Sequence, residues 1–368
     1  MMFRCERAML AVLAIVVMSV GQAVAYTVDG PRRPKPWEMT AVYELEDYLK
    51  KLSSDASIRV DGAEACFHVG DTEFTRKQGL SSASFEDEQW TVKCFGSDVV
   101  LVGGGTRGTL YAVYHFLEDV CGVRWWSDDD EDVPQAGKLE LKTFDMKGRP
   151  FFRCRQIYHK GRMNWRTAAR CRLNGNGDYA IPVEWGAEWG NANGNGAGER
   201  PASNVVVDVV KSMGFPIPGE YLVADKLRTC AERGESGVTI EQDSPDRSDM
   251  YELKFYIARK MLEDPFLKTD DLLHEFYLQY YGPAAGKIRW AREHLRQIFD
   301  ERANTASDAS PTGRTGWLTA EDLSIMARLF DEADAAARGN PKLEHRVNRA
   351  RMGLDRARSV LDRSVQSS

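Results

Sequence analysis

Three groups of residues in this 368-residue chain have types and spacings that could do chemistry. The first is Gly103-Gly104-Gly105-Thr106-Arg107-Gly108, which satisfies G-x-G-x-x-G. That spacing lets backbone N–H groups and a helix N-terminus hold a pyrophosphate. The acidic residue expected to close the next strand is replaced by a run of acids, Asp128 to Asp132, so the motif is read as a tight turn with Thr106 capping the following helix. The second group is basic: residues 147 to 172 hold nine Lys or Arg and no Asp or Glu, Arg155 among them. The third is a set of carboxylates, Glu241 at the end of a strand-like run and Asp178, Glu184, Glu188 and Asp243 in loops. Two carboxyls held in different environments can serve as a general acid and a base.

The elements that must position them divide into three regions. Trp37, Ala41, Leu45, Tyr48, Leu49 and Leu52 recur at helical spacing after a Pro-rich entry. Strand-like runs follow at 65–69, 89–95 and 99–102, then a helix over 107–120, a short strand at 123–126 and a strand at 139–144. This predicts a small α/β domain over residues 26–148. The second region, 149–248, opens with a strand ending near Tyr158 and a helix over 164–173. A Gly- and Asn-rich loop follows over 175–200, then the strand 205–210, the helix 221–233 and the strand 238–241. The third, 249–368, is predicted to be helical. Leu343, Val347, Ala350, Leu354, Ala357 and Leu361 form a stripe of the kind that packs in a bundle.

Composition narrows the function. Forty-nine basic residues against 55 acidic ones give a formal net charge of −6, which argues against a general polyanion binder, and no nucleic-acid module is recognisable. Residues 1–25 read as a signal peptide: Arg4 and Arg7, an apolar stretch over 9–20, and Ala23-Val24-Ala25 before a cleavage point at Tyr26. The apolar stretch is shorter than a membrane span, so the expectation is an exported chain with no stable membrane span. Six cysteines remain after residue 25, widely spaced and without Cys-x-x-Cys, so no disulfide pairing is assigned. The six histidines look too scattered for a structural zinc site; neither a metal nor an organic cofactor is expected, and the oligomeric state is not legible.

The segment Leu101-Val102-Gly103-Gly104-Gly105-Thr106-Arg107-Gly108-Thr109-Leu110-Tyr111-Ala112-Val113-Tyr114-His115-Phe116-Leu117-Glu118, with Cys121-Gly122-Val123-Arg124-Trp125-Trp126, resembles the N-terminal domain of alpha-glucuronidases. It is more similar still to the secreted bacterial family called domain of unknown function 4838. Arg172-Leu173-Asn174-Gly175, Gly237-Val238-Thr239-Ile240-Glu241-Gln242 and Tyr280-Tyr281-Gly282-Pro283-Ala284-Ala285 extend the match in the same order. The resemblance implies an α/β accessory domain, a glycoside-hydrolase-like (β/α) barrel and C-terminal helices. Only 98 residues run from Phe151 up to the helix start at Asp249, whereas a full barrel takes about 250. The expected fold is therefore α/β with an incomplete TIM-barrel-like domain lacking its middle strands.

For such a barrel, the chemistry implied is glycosidic hydrolysis by two carboxyls about 5 to 9.5 Å apart. Glu241 matches the glutamate of the family's G-V-x-x-E-Q segment and is the candidate acid, with Asp178, Glu184, Glu188 and Asp243 as weaker candidates for the second carboxylate. Arg155, Tyr158 and His159 fall at the end of the first barrel-like strand, where Arg155 could hold a uronate carboxylate. The competing reading of this basic run, above all for its helix arginines, is a basic helix face pairing with the acidic loops. Trp185 and Trp189 could stack on sugar rings, whereas Trp125 and Trp126 read as core. The sequence reading is an exported glycoside-hydrolase-like protein with a carbohydrate substrate, acting on an acidic or acetamido sugar. The alternatives are a non-catalytic glycan-binding protein and an inactive truncated relative.

Overall fold

The computed structural model describes residues 26–158, 163–174, 204–208, 215–246, 248–302 and 317–366. The first unit runs β1 (Tyr26–Asp29), α1 (Pro36–Leu52), β2 (Ser53–Val60), β3 (Ala63–Val69), α2 (Glu73–Lys77), β4 (Trp90–Phe95), β5 (Asp98–Gly103), α3 (Gly108–His115), β6 (Arg124–Trp125), β7 (Glu131–Asp132), β8 (Ala136–Leu141) and β9 (Asp145–Gly148). Seven strands form one mixed sheet in the order β8-β2-β3-β5-β4-β9, with β1 parallel to β3. Helix α1 starts at a proline, and the Glu38 carboxylate accepts from the Lys35 N–H at 2.9 Å, satisfying a donor that the helix start leaves orphaned. Its stripe of Ala41, Leu45, Tyr48, Leu49 and Leu52 shares one core with Phe67, Val69, Val99, Leu101 and α3.

Three features of this unit differ from the sequence reading. Strands β1 and β2 go beyond the expected elements, and of the strand expected over 139–144 only 139–141 are strand, as the end of β8, with β9 a separate strand after it. Thr106 does not cap α3: Arg107 occupies that position without a side-chain cap, and the Thr109 hydroxyl instead exchanges hydrogen bonds with the Gly103 N–H and C=O. The glycines of the turn serve close packing. A Cβ on Gly103 would strike the carbonyl of Gln89, and one on Gly104 the carbonyls of Glu86 and Phe85. The turn is thus packed against the chain that leads into β4, where a dinucleotide fold would seat its pyrophosphate.

The second unit contains β10 (Cys154–Tyr158), α4 (Trp165–Arg170), β11 (Asn204–Asp208), α5 (Glu220–Glu232) and β12 (Gly237–Glu241). Its three strands are parallel in the order β10-β12-β11. Ile157, Val238, Ile240 and Val207 are buried in one core with the helices that follow: α6 (Tyr251–Glu263), α7 (Thr269–Tyr281), α8 (Ala285–Arg302), α9 (Ala320–Ala337) and α10 (Pro341–Gln366). The α10 stripe from Leu343 to Ala357 is buried in that core, as its spacing predicts. The acidic run ties α10 down: Arg346 bonds Asp130 at 2.6 Å and Asp132 at 3.0 Å.

Buried charges join the first two units. Glu118, fully buried, meets Arg172 at 2.5 Å, Arg259 at 2.9 Å and Lys260 at 3.0 Å. Burial would raise its pKa, but these cations hold the carboxyl well below the usual range. His115 sits between Asp119 at 2.7 Å and Glu263 at 2.6 Å, its ring stacked on Trp90. Burial favours the neutral imidazole, yet the Glu263 charge and both hydrogen bonds raise its pKa. Arg166 and Arg170 reach Glu44, and Arg149 pairs with Glu86. Much of the basic run over 147–172 is thus paired with acids of the first unit.

Candidate functional site at the strand ends

The parallel register brings Tyr158, Glu241 and Asp208 into one row, with Tyr158 opposite Glu241 on one side and Asp208 opposite it on the other. This row is the C-terminal edge of the three-stranded sheet, the end at which open and closed α/β sheets carry ligands. Residues in register on parallel strands share a face. Gln156, Tyr158, Thr239, Glu241 and Val206 therefore lie on the face opposite the buried Ile157, Val238, Ile240 and Val207. The Thr239 hydroxyl donates to the Gln156 carboxamide at 3.1 Å, tying two strands together on that face. Tyr158 is 52% and Val206 57% exposed. Glu241 is half-buried at the middle position.

Behind the row, the chain turns into a buried polar cluster. The Gln242 N–H donates to the Tyr158 carbonyl at 2.8 Å, which fixes the exit from β12 against β10. Its amide nitrogen reaches the Tyr251 carbonyl at 3.3 Å, while its buried Oε1 has no hydrogen-bond partner. The Arg292 guanidinium contacts Glu220 and Asp249 at 2.8 and 2.7 Å. Lys254 is buried with its Nζ 3.6 Å from Asp249 and outside any hydrogen bond. Burial lowers its pKa, against the pull of Asp249.

Arg155 lies elsewhere than the sequence suggested. It is 0% exposed, and its donors go to the carbonyls of Arg172 and Phe152 at 2.7 and 2.5 Å, to the Tyr111 hydroxyl at 3.0 Å and to Glu88 at 2.9 Å. Residue 155 sits one position from Gln156 and so faces the other side of the sheet, into the seam with the first unit. These contacts commit its guanidinium to protein partners, so the expectation that Arg155 holds a substrate carboxylate is corrected. Trp125 and Trp126 are buried, as expected, with their indole N–H groups on the Tyr48 hydroxyl and Asp132, each at 2.7 Å. His159, Asp178, Glu184, Trp185, Glu188 and Trp189 lie outside the described residues. Sequence reading missed Asp208 and Gln242; an acid closing the Val205-Val206-Val207 run was the available signal for the first.

Other features do not compete for the role. A groove lined by Gly122, Arg124, Trp126, Tyr280 and Arg346 lies beside the α7–α8 turn, but Arg124 is committed to Glu275 and Arg346 to Asp130. No helix of the described residues is long and apolar enough to cross a membrane. No disulfide joins the cysteines among the described residues. The one group of described side chains close enough to share a metal ion, Cys66, His68 and Asp98, belongs to the first unit.

This architecture, an α/β unit before parallel βα elements and a helical bundle, is similar to a solved glycoside hydrolase. That structure is described as a novel family GH115 4-O-methyl-alpha-glucuronidase, BtGH115A, with specificity for decorated arabinogalactans. The TM-score is 0.60 at 11% identity, covering 92% of this chain and 73% of the other. Residues 207–292, from the end of β11 into α8, match the family described as "Domain of unknown function (DUF4838)". No curated protein matches the chain.

Proposed function

We propose that the chain is an exported glycan-acting protein of glycoside hydrolase type, with Glu241 as the general acid and an acidic or acetamido sugar as substrate. One observation carries this reading: the parallel register places Glu241 at the centre of the strand-end row, with exposed Tyr158 on one side and Asp208 on the other. Similarity to a glucuronidase fold supports the reaction class and the uronate choice. In this scheme Glu241 protonates the leaving oxygen, and the second carboxylate comes from Glu184 or Asp178. Tyr158 offers its ring face to a sugar, and the scheme adds His159, Trp185 and Trp189 as substrate contacts. With Arg155 committed to Glu88, a uronate must find its cation elsewhere.

The test is hydrolysis of an aryl-glycoside panel, including glucuronides and N-acetylhexosaminides, by the chain from residue 26 and its Glu241→Gln variant. Loss of turnover by about 10² to 10⁴ in the variant is the expected result, the usual worth of a general acid. A cooperatively folded chain with no turnover on any substrate sinks the hydrolase reading. The exposed Tyr158 beside Glu241 would then favour a glycan-binding protein, whose affinity should survive Glu241→Gln and fall in Tyr158→Ala. Mass spectrometry of the exported product should place its first residue at Tyr26.

A further inference from the structure

The mixed sheet of the first unit places a soft donor, an imidazole and a carboxylate together on one face. Cys66 and His68 are two apart on β3 and so share that face. In register, β1 sets Thr27 beside Cys66 and Asp29 beside His68, while β5 sets Asp98 beside Cys66 on the other side. The Cys66 sulfur, a His68 ring nitrogen and an Asp98 carboxylate oxygen all lie within 4.8 Å of one another. A tetrahedral zinc ion with ligands at about 2.0 to 2.3 Å needs donor atoms about 3.3 to 3.7 Å apart, within side-chain adjustment of this arrangement. His68 Nε2 and Asp98 Oδ1 are already drawn together to 2.7 Å.

The surroundings fit a ligand set. His68 is only 6% exposed, and its Nδ1 makes no hydrogen bond, although Asp29 Oδ2 stands 3.4 Å away. Metal-bound imidazoles commonly hand their second N–H to a carboxylate, which fixes the tautomer that leaves the other nitrogen free to ligate. The Phe74 ring stacks on His68 at 4.2 Å and 9°, holding the imidazole plane. The Thr27 hydroxyl donates to the Cys66 sulfur at 3.0 Å, as a donor to a ligating thiolate would. Strand β1 thus supplies the outer partners, β3 two ligands and β5 the third.

We propose that Cys66, His68 and Asp98 form a zinc-binding site, with Asp29 and Thr27 orienting the imidazole and the thiolate. Sulfur, nitrogen and carboxylate donors together suit Zn²⁺ better than the oxygen-seeking Mg²⁺ or Ca²⁺. Three protein ligands leave the fourth position of the ion to water, and the partly exposed Asp98 opens the cluster to solvent on that side. The site is independent of the strand-end row and of any glycosidase activity.

The experiment is calorimetric titration of Zn²⁺ into the chelator-treated full chain with its thiols reduced, together with Co²⁺ substitution read by absorption. One equivalent of Zn²⁺, a thiolate-to-cobalt charge-transfer band and a rise in Tm with zinc are expected. Cys66→Ser should abolish the band, and Asp98→Asn should weaken binding. Asp29→Asn, which keeps every ligand, should weaken binding about 10- to 100-fold. Cys66 is only partly buried, so its serine variant tests the site even if a His68→Asn variant fails to fold. A reduced, folded chain that binds no zinc, or one that binds it equally well as Cys66→Ser, overturns the proposal.

Discussion

The seven-stranded sheet and the three-stranded sheet solve the same packing problem differently. In the first unit, α1 and α3 lie on the sheet and enclose an apolar core, with Glu44, Glu88 and Glu118 buried where that unit meets the rest of the chain. The three-stranded sheet packs its helices on one side and leaves Tyr158 and Val206 exposed on the other. Its attachment to the first unit runs through Arg155, Arg172, Arg259, Glu118 and Glu263 as well as apolar contact. The difference teaches where each sheet can tolerate change: the first is enclosed by apolar packing, the second keeps a chemically usable face, and paired charge holds the two together.

That contrast can be broken most strongly at the seam. Glu118→Ala would leave Arg172, Arg259 and Lys260 without their shared carboxylate, and we expect a loss of about 3 to 5 kcal/mol in denaturant unfolding. Within the first sheet, Gly104→Ala should cost about 1 to 3 kcal/mol by forcing the turn away from Glu86 and Phe85. A loss as large as that of Glu118→Ala would erase the proposed contrast.

The third prediction is a pH dependence at His115. Its folded pKa is raised, so its stabilising contribution is complete below the unfolded value of about 6.5 and disappears as pH rises through the folded value. The stability gap between the native chain and His115→Gln should therefore be wider at pH 6 than at pH 9 in paired melts. Glu118 and Glu263 act in the opposite direction. Their carboxyls are held low, so their contribution is present above about pH 4.3 and is lost as pH falls. The smallest effect on stability belongs to Glu241→Gln, within about 0.5 kcal/mol, because half-buried Glu241 stands at the strand-end row and not in the seam.

What the sequence made legible was mostly local. The α1 and α10 stripes and the strand ending at Glu241 were readable because a period or an alternating run lies within one element. Strand β2 was hidden: Ser53–Val60 is largely polar, and its partner β8 lies some eighty residues away. Arg155 illustrates the same limit at the candidate site. Its place at the first barrel-like strand was readable, but its partner Glu88 belongs to the preceding unit, so no window around Arg155 reveals that the guanidinium is occupied. The close pair Cys66 and His68 is passed over when the histidines are treated as scattered, and Asp98 joins that pair only through parallel pairing of β3 and β5. Asp208 became a neighbour of Glu241 in the same way.

The charged seam also bears on whether the first unit is a portable module. Severing the chain after Gly148 would give one fragment with the carboxylates of Glu44, Glu88 and Glu118 uncovered and another with the guanidinium groups of Arg155, Arg170, Arg172 and Arg259 uncovered. Neither half would inherit a finished surface. The two would instead be complementary in sign, and because Glu118, Arg155, Arg172 and Arg259 are buried once joined, added salt would screen their pairing little. Each unit therefore carries half of an internal ionic lattice.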